Sequence, residues 1–224
     1  SSMGPSLSAS RAALLADAAA LVDHLRARLA PAGDGSAGYQ DEQPIDASSH
    51  APINPAPGAR AAAVLAPLYA QAGRPHLLFT VRSLDLASHK GEISFPGGSC
   101  EPEDPSLVWT ALRETHEELG IEPARVEVLG ALPALFAAVS NFHITPYVGW
   151  LGAGPPELVP SPAEVAEVID APLEALADPA IYHTEVWQRY GMAHTIHFYD
   201  FGAYRIWGAT GRMLRTLLDL LPTA

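Results

Sequence analysis

The chain has 224 residues, 48% hydrophobic and 17% charged, which is the balance of an ordinary globular domain with length for one substantial core. With 25 acidic against 13 basic residues, its net charge of −12 argues against a broad nucleic-acid surface, because such affinity comes from clustered Lys and Arg and the single lysine is Lys90. Cys100 is the one cysteine, which excludes an intrachain disulfide and a cysteine-built zinc site and makes a reducing cytosol, hence a cytoplasmic location, the expectation.

Residues 1–57 are expected to form an N-terminal extension to one domain spanning 58–224. Ser1 and Ser2 ahead of Met3 read as an added remnant, with Met3 as the native start. Leu14, Ala18, Leu21, Leu25 and Leu29 recur at helical spacing over about 9–30, with Ser8 or Ser10 available as a cap. Asp17 and Asp23 interrupt that apolar run, which argues against a secretory signal or a membrane span; an amphipathic helix docked on its own domain is expected. The Pro-, Gly-, Ser- and Ala-rich stretch 31–57 reads as a mobile linker or substrate-side flap.

From residue 60 short apolar runs alternate with two helical segments, without the regular strand-helix repeat of a doubly wound fold. Strands are expected near 61–69, 76–82, 92–95, 125–131, 143–151, 165–170, 184–190 and 195–201. Helices are expected over about 105–119 and 209–221, the second ending in Leu214, Leu217, Leu218 and Leu221, with 172–176 a short helix or turn. The fold class is therefore α/β, a mixed sheet flanked by helices.

The stretch 91–121, GEISFPGGSCEPEDPSLVWTALRETHEELGI, sets several acids on one helix behind a glycine-rich turn. Asp104 suits the N-cap, Pro105 the first helical position and Gly120 the C-terminal stop. Glu114, Glu117 and Glu118 are spaced i, i+3 and i+4 and share a face, where their mutual repulsion favours a hard divalent cation, Mg2+ or Mn2+. Three acids near a helix C-terminus also oppose its dipole, which a bound cation would offset. Phe95-Pro96-Gly97-Gly98 allows close backbone approach, so a glycine carbonyl could complete the metal shell, and Arg113 reads as a structural fork onto carboxylates or loop carbonyls.

The histidines carry less. His194 and His197 are three apart in an expected strand, which sends them to opposite faces and away from one shared ion. His183 or His194 could line a cleft, His116 is expected in solvent, and His89 ahead of Gly91 would donate to a phosphate or fasten the turn. Cys100 has no neighbouring base in the sequence and reads as a small loop filler.

These residues resemble the Nudix hydrolases, whose signature runs Gly, five residues, Glu, seven residues, Arg-Glu-aliphatic-any-Glu-Glu-any-Gly-aliphatic. Arg113, Glu114, Glu117, Glu118, Gly120 and Ile121 match its right half. The left half departs: Ser99 and Pro105 fall at the glycine and first glutamate positions, Gly98 is one residue early, and Thr115 replaces an aliphatic residue. An extra loop residue is a feature of the subgroup similar to coenzyme A pyrophosphatases. That subgroup's second pattern is echoed by Leu77-Leu78-Phe79-Thr80-Val81-Arg82-Ser83, His89, Gly91 and Phe95-Pro96-Gly97-Gly98, with Phe79 an extra residue and Glu92 where the subgroup commonly has glutamine. Fainter echoes at 60–65, 164–173 and 206–210 extend the resemblance over about 58–221.

The resemblance implies an α/β/α sandwich and Mg2+- or Mn2+-dependent hydrolysis of a diphosphate, with coenzyme A or its derivatives cut to 3′-phosphoadenosine 5′-phosphate and phosphopantetheine. It implies Glu114 and Glu118 as direct metal ligands, Glu117 as a ligand or a base acting through water, and a Gly97 or Gly98 carbonyl as a further ligand; Arg113 belongs to the same catalytic motif. Arg82, Lys90 and His89 become candidates for the substrate phosphates, and Glu101, Glu103 or Asp104 for the missing first glutamate. Trp187, Tyr190 and Trp207 are candidates to stack on adenine, with core packing the ordinary use of Trp207. The partner is then a small diphosphate, with no nucleic acid and no membrane. Two other readings stay open: a Nudix hydrolase of another nucleoside diphosphate such as NADH or ADP-ribose, or a noncatalytic nucleotide-binding regulator that uses the N-terminal helix as partner surface.

Overall fold

The computed structural model describes residues 9–32, 45–46, 58–84, 91–137, 140–189 and 191–224. Its centre is a pair of long strands, β2 (Arg60–Gln71) and β8 (Phe142–Ala153), which run parallel with Leu65 opposite Tyr147 and Ala66 opposite Val148. On the far side of β2 lies β3 (Arg74–Arg82), antiparallel to it, and β3 in turn carries β4 (Ile93–Ser94) and β9 (Val165–Pro172). Strand β5 (Gly97–Ser99) pairs with the start of β2, while β6 (Glu127–Ala131) and β7 (Leu135–Ala137) pair with β8. Ile45–Asp46, here β1, adds a short parallel rung on β7.

The two faces of this mixed sheet follow from strand periodicity, since alternate residues point to opposite sides. Ala63, Leu65 and Tyr147 pack with Leu107 and Ala111 of helix α3 (Leu107–Leu119). Ala66, Leu68 and Val148 point the other way, into the larger core shared with α1 (Arg11–Ala16), α2 (Ala18–Arg28) and α5 (Gly208–Leu218). Helices on both faces make the expected α/β/α sandwich. The short α4 (Leu173–Leu176) follows β9 directly, at the predicted helix or turn.

The N-terminal helix is two helices. Asp17 leaves the helical conformation and its carboxylate accepts a 3.2 Å bond from the Ala20 N–H, so it caps α2 instead of continuing α1; Ser10 caps α1 in the same way. The leucine stripe docks as expected: Leu14, Leu21 and Leu25 are 1%, 0% and 1% exposed. Most of 33–57, including the expected linker or flap, lies outside the described residues.

A second sheet, β10 (Tyr182–Arg189), β11 (Met192–Phe201) and β12 (Tyr204–Ile206), is antiparallel and rests on α5. The buried Arg212 donates 2.9 Å to Nε2 of His197, whose Nδ1 lies 2.7 Å from the Tyr182 hydroxyl. Because arginine only donates, His197 must accept at Nε2 and donate at Nδ1, and burial keeps its pKa low. It is a structural clasp. Sequence patterns did not reveal β1, β5, β7 and β12, which are too short or too glycine-rich to show a period. Among the described residues no helix is long and apolar enough to cross a membrane.

Candidate active site

The candidate site is built where β5 meets α3. Phe95, 2% exposed, stacks on Phe79 at 4.7 Å and anchors the turn, and the Pro96 carbonyl accepts a 2.9 Å bond from the Leu65 N–H. A side chain at either of the next two residues would collide, at Gly97 with backbone and at Gly98 with the end of Glu114. A Cβ on Gly97 would sit 2.4 Å from the Ala63 carbonyl oxygen, and one on Gly98 would sit 2.5 Å from Oε1 of Glu114. Glycine at these positions thus lets the loop backbone lie against the helix carboxylates.

From α3, Glu118 accepts a 2.8 Å bond from the Gly97 N–H and is 7% exposed. Its pKa is pushed up to about 8, first by burial and further by the negative charge of Glu114 and Glu164, against the pull of the Gly97 N–H and Arg82. Burial also raises Glu114, which feels Glu117 and Glu164 as further negative charges and Arg113 as a counterweight. Glu117 turns aside: its carboxylate oxygens lie 3.2 Å from Nη1 of Arg113, one helical turn back. Of the three acids expected to converge, Glu114 and Glu118 lie against the glycines, and Nη1 of Arg113 reaches both Glu114 and Glu117 at 3.2 Å.

Arg113 is the fork expected from its position. It donates 2.9 Å bonds to both oxygens of Asp104, a 3.1 Å bond to the Ser99 carbonyl and a 3.2 Å bond to Glu114. The Asp104 side chain, 2% exposed, also accepts from Thr110 and from the Glu101 N–H, and these partners, Arg113 foremost, hold its pKa down to about 2. The N-cap expectation is corrected here. Ser106 caps α3, accepting 3.1 Å from the Trp109 N–H, because Asp104 is drawn onto Arg113 and Pro105 precedes the helix. Gly120 ends it as expected, left-handed at φ 73°.

The other sequence candidates scatter. Arg82 exchanges backbone bonds with Gly91 and Glu92 and exerts its charge on Glu118. His89, Lys90 and Tyr190 lie outside the described residues. Glu101 reaches only the edge of Arg113, at 3.7 Å, and His116 is half exposed beside Glu122. His197 is buried in the clasp, whereas His194 lies 3.2 Å from the Arg189 carbonyl on the opposite face, as strand spacing dictates. Cys100 packs partly buried against the smaller core cluster. Glu164 is the residue that sequence patterns passed over: its charge acts on both Glu114 and Glu118, and its backbone is tied to Ser83 and Ser161, while Ser161 bonds the Glu118 carbonyl. The signal available in the sequence was its place at the head of the 164–173 echo.

The donor set suits a hard cation. Glu114 and the deeply buried Glu118 both have raised pKa values, first through burial, and Glu114 adds its charge to Glu118 beside the Gly97–Gly98 backbone, which is the electrostatic deficit that a divalent ion offsets. As they stand, no three His, Cys, Asp or Glu side chains among the described residues converge tightly enough to hold an ion.

The family model described as NUDIX domain matches residues 59–189. The protein named "Uncharacterized Nudix hydrolase NudL" from Photorhabdus laumondii is 40% identical over 158 residues, covering 70% of this chain and 83% of that protein. Its namesake from Citrobacter koseri is 41% identical over 160 residues, covering 70% and 81%. Among solved structures, the C. elegans Ap4A hydrolase binary complex superposes with a TM-score of 0.43 at 21% identity, covering 50% of this chain and 80% of that one. The family model spans more than half of the sequence and runs through the glycine turn, Arg113 and the three glutamates, and so the chain belongs to the Nudix hydrolase family.

Proposed function

We propose that the chain hydrolyses the diphosphate bond of coenzyme A or its derivatives, giving 3′-phosphoadenosine 5′-phosphate and (acyl-)phosphopantetheine. The observation that carries the chemistry is the buried Glu118 carboxylate on the Gly97 N–H, with Glu114 over Gly98. Substrate choice rests on the second pattern, which runs through Arg82 and Gly91 into the same turn. Glu114 and Glu118 would hold Mg2+ or Mn2+, with Glu117 and a Gly97 or Gly98 carbonyl as further ligands. Such an ion, when bound, lowers the pKa of water and screens the charge of the diphosphate.

Around it the chain's own groups have separate tasks. Arg113 fixes the helix to the loop through Asp104 and the Ser99 carbonyl, so the two ligating carboxylates keep their distance from the glycines. Glu164, whose charge acts on both Glu114 and Glu118, would take a proton from the attacking water as its oxygen bonds to one phosphorus and the bridging oxygen leaves with the other phosphate. Arg82, with Lys90 and His89 of the adjoining segment, would meet the anionic substrate.

Glu92, at the position where glutamine is usual in the subgroup, favours a second reading: another nucleoside diphosphate, such as NADH or ADP-ribose. The two separate in one experiment. Coenzyme A, NADH and ADP-ribose are incubated individually with wild-type protein and Glu118→Gln, with and without Mg2+, and the products identified by mass spectrometry. Metal-dependent phosphopantetheine from coenzyme A, absent with Glu118→Gln, is the expected result. Turnover of another diphosphate alone would keep the chemistry and replace the substrate.

A further inference from the structure

Beside the carboxylate site, strand β12 lies against β4 and borders an open cavity of about 310 Å3, lined by Val81, Glu92, Glu167, Tyr204, Arg205 and Trp207 among others. That volume lies at the small end of ligand pockets. The wall begins at Gly91–Ile93, and the five residue steps from Glu92 to Gly97 span at most roughly 17 Å even fully extended, so the cavity stays within reach of a nucleotide held at the glycine turn.

Trp207 is 43% exposed. Its indole is parallel to the Phe198 ring, 5.8 Å away at 11°, and meets Trp187 at 5.7 Å, so the ring is braced from behind while its exposed part forms a cavity wall. It also occupies the N-cap of α5 without making a side-chain cap bond, a position that Ser, Thr, Asp or Asn would fill better. A rigid, supported, exposed indole at a cavity wall suits stacking on a flat ring. The polar groups point to the kind of ring. Glu92 and Glu167 present carboxylate acceptors, Tyr204 is bonded to Glu167, and the charge of Arg205 is already met by Asp200 at 2.8 Å. Such walls favour a hydrogen-bond-donating base over another phosphate.

We propose that this cavity seats the substrate's base, an amino-substituted purine stacked on Trp207 with its exocyclic amine directed to Glu92 or Glu167; the assignment rests on hydrolysis of a nucleoside diphosphate at the neighbouring carboxylates. The test is calorimetric binding of ADP, IDP and ribose 5-diphosphate with metal chelated, so that no turnover is needed. Wild-type protein should prefer ADP to both analogues. Trp207→Ala should weaken ADP roughly 5- to 150-fold while Trp207→Phe keeps most of the affinity. The double variant Glu92→Ala/Glu167→Ala, which leaves the aromatic stack in place, should bind ADP and IDP alike.

Equal binding of ADP and ribose 5-diphosphate by the wild type, or unchanged ADP affinity in folded Trp207→Ala, overturns the proposal. A retained preference for ADP over IDP in the double variant overturns the amine contact. Trp207-dependent ADP binding in a protein that cleaves no diphosphate would sustain the base site and remove the catalytic reading, so the two fail separately.

Discussion

At the scale of single residues, Asp104 and Gly98 show how different the demands around one helix are. Asp104 has its pKa lowered from 3.8 to about 2 by Arg113, so folding favours its ionised form. Its contribution, about 2 kcal/mol, is present above about pH 3.8 and is lost as the pH falls through about 2. Urea unfolding followed from pH 7 to pH 2 should therefore show a fall in stability that Asp104→Asn, already weakened at neutral pH, lacks. Gly98 is assigned to the proposed chemistry instead. Its added methyl would meet the end of the Glu114 side chain, which can swing away, so Gly98→Ala is expected to leave the melting temperature nearly unchanged while lowering kcat by roughly 100-fold, the cost of a misplaced group. A large loss of stability in that variant would contradict this assignment.

At the scale of elements, the N-terminal helices are part of the core. Leu21 of α2 is fully buried among sheet residues, and Leu21→Ala is expected to cost about 2–5 kcal/mol in chemical denaturation. A surface helix serving only as a partner platform would lose far less. At the other end of the active-site helix, Gly120 has φ 73° and its Cβ would fall 2.8 Å from that of Val159, so Gly120→Ala combines backbone strain with a clash. The expected result is a melting temperature several degrees lower, with metal binding retained if the protein is assayed while folded.

At the scale of the whole molecule, an acidic chain holds a buried carboxylate whose pKa is raised to about 8, and any cation that binds there stabilises the folded state alone. Mg2+ or Mn2+ at a hundredfold excess over its Kd should add about 2.7 kcal/mol, visible as a higher melting temperature in calorimetry. Glu118→Gln should abolish the increment, and a chelator should reverse it in the wild type. An equal metal response in the variant would place the ion elsewhere.

What the sequence determined by itself is whatever short-range pattern can encode. The apolar runs of β2 and β8, leucine spacing in α2 and the Gly120 stop are local, as are the motif residues Arg113, Glu114, Glu117 and Glu118, and they marked the sandwich and the region of its candidate site. Tertiary structure decided matters that depend on partners distant in the chain. Asp104 left the N-cap because Arg113, nine residues on, offered a charged fork; the first helix broke at Asp17, where the Ala18 N–H donates to the Gly73 carbonyl; and the charge of Glu164 acts on Glu118 from 46 residues away. Glycine-rich β5 has no apolar period, and it becomes a strand only because β2 supplies its hydrogen bonds. The physical reason is common to all of them: a side chain's final partner is fixed by which groups folding brings close and desolvates, and spacing along the chain does not record that.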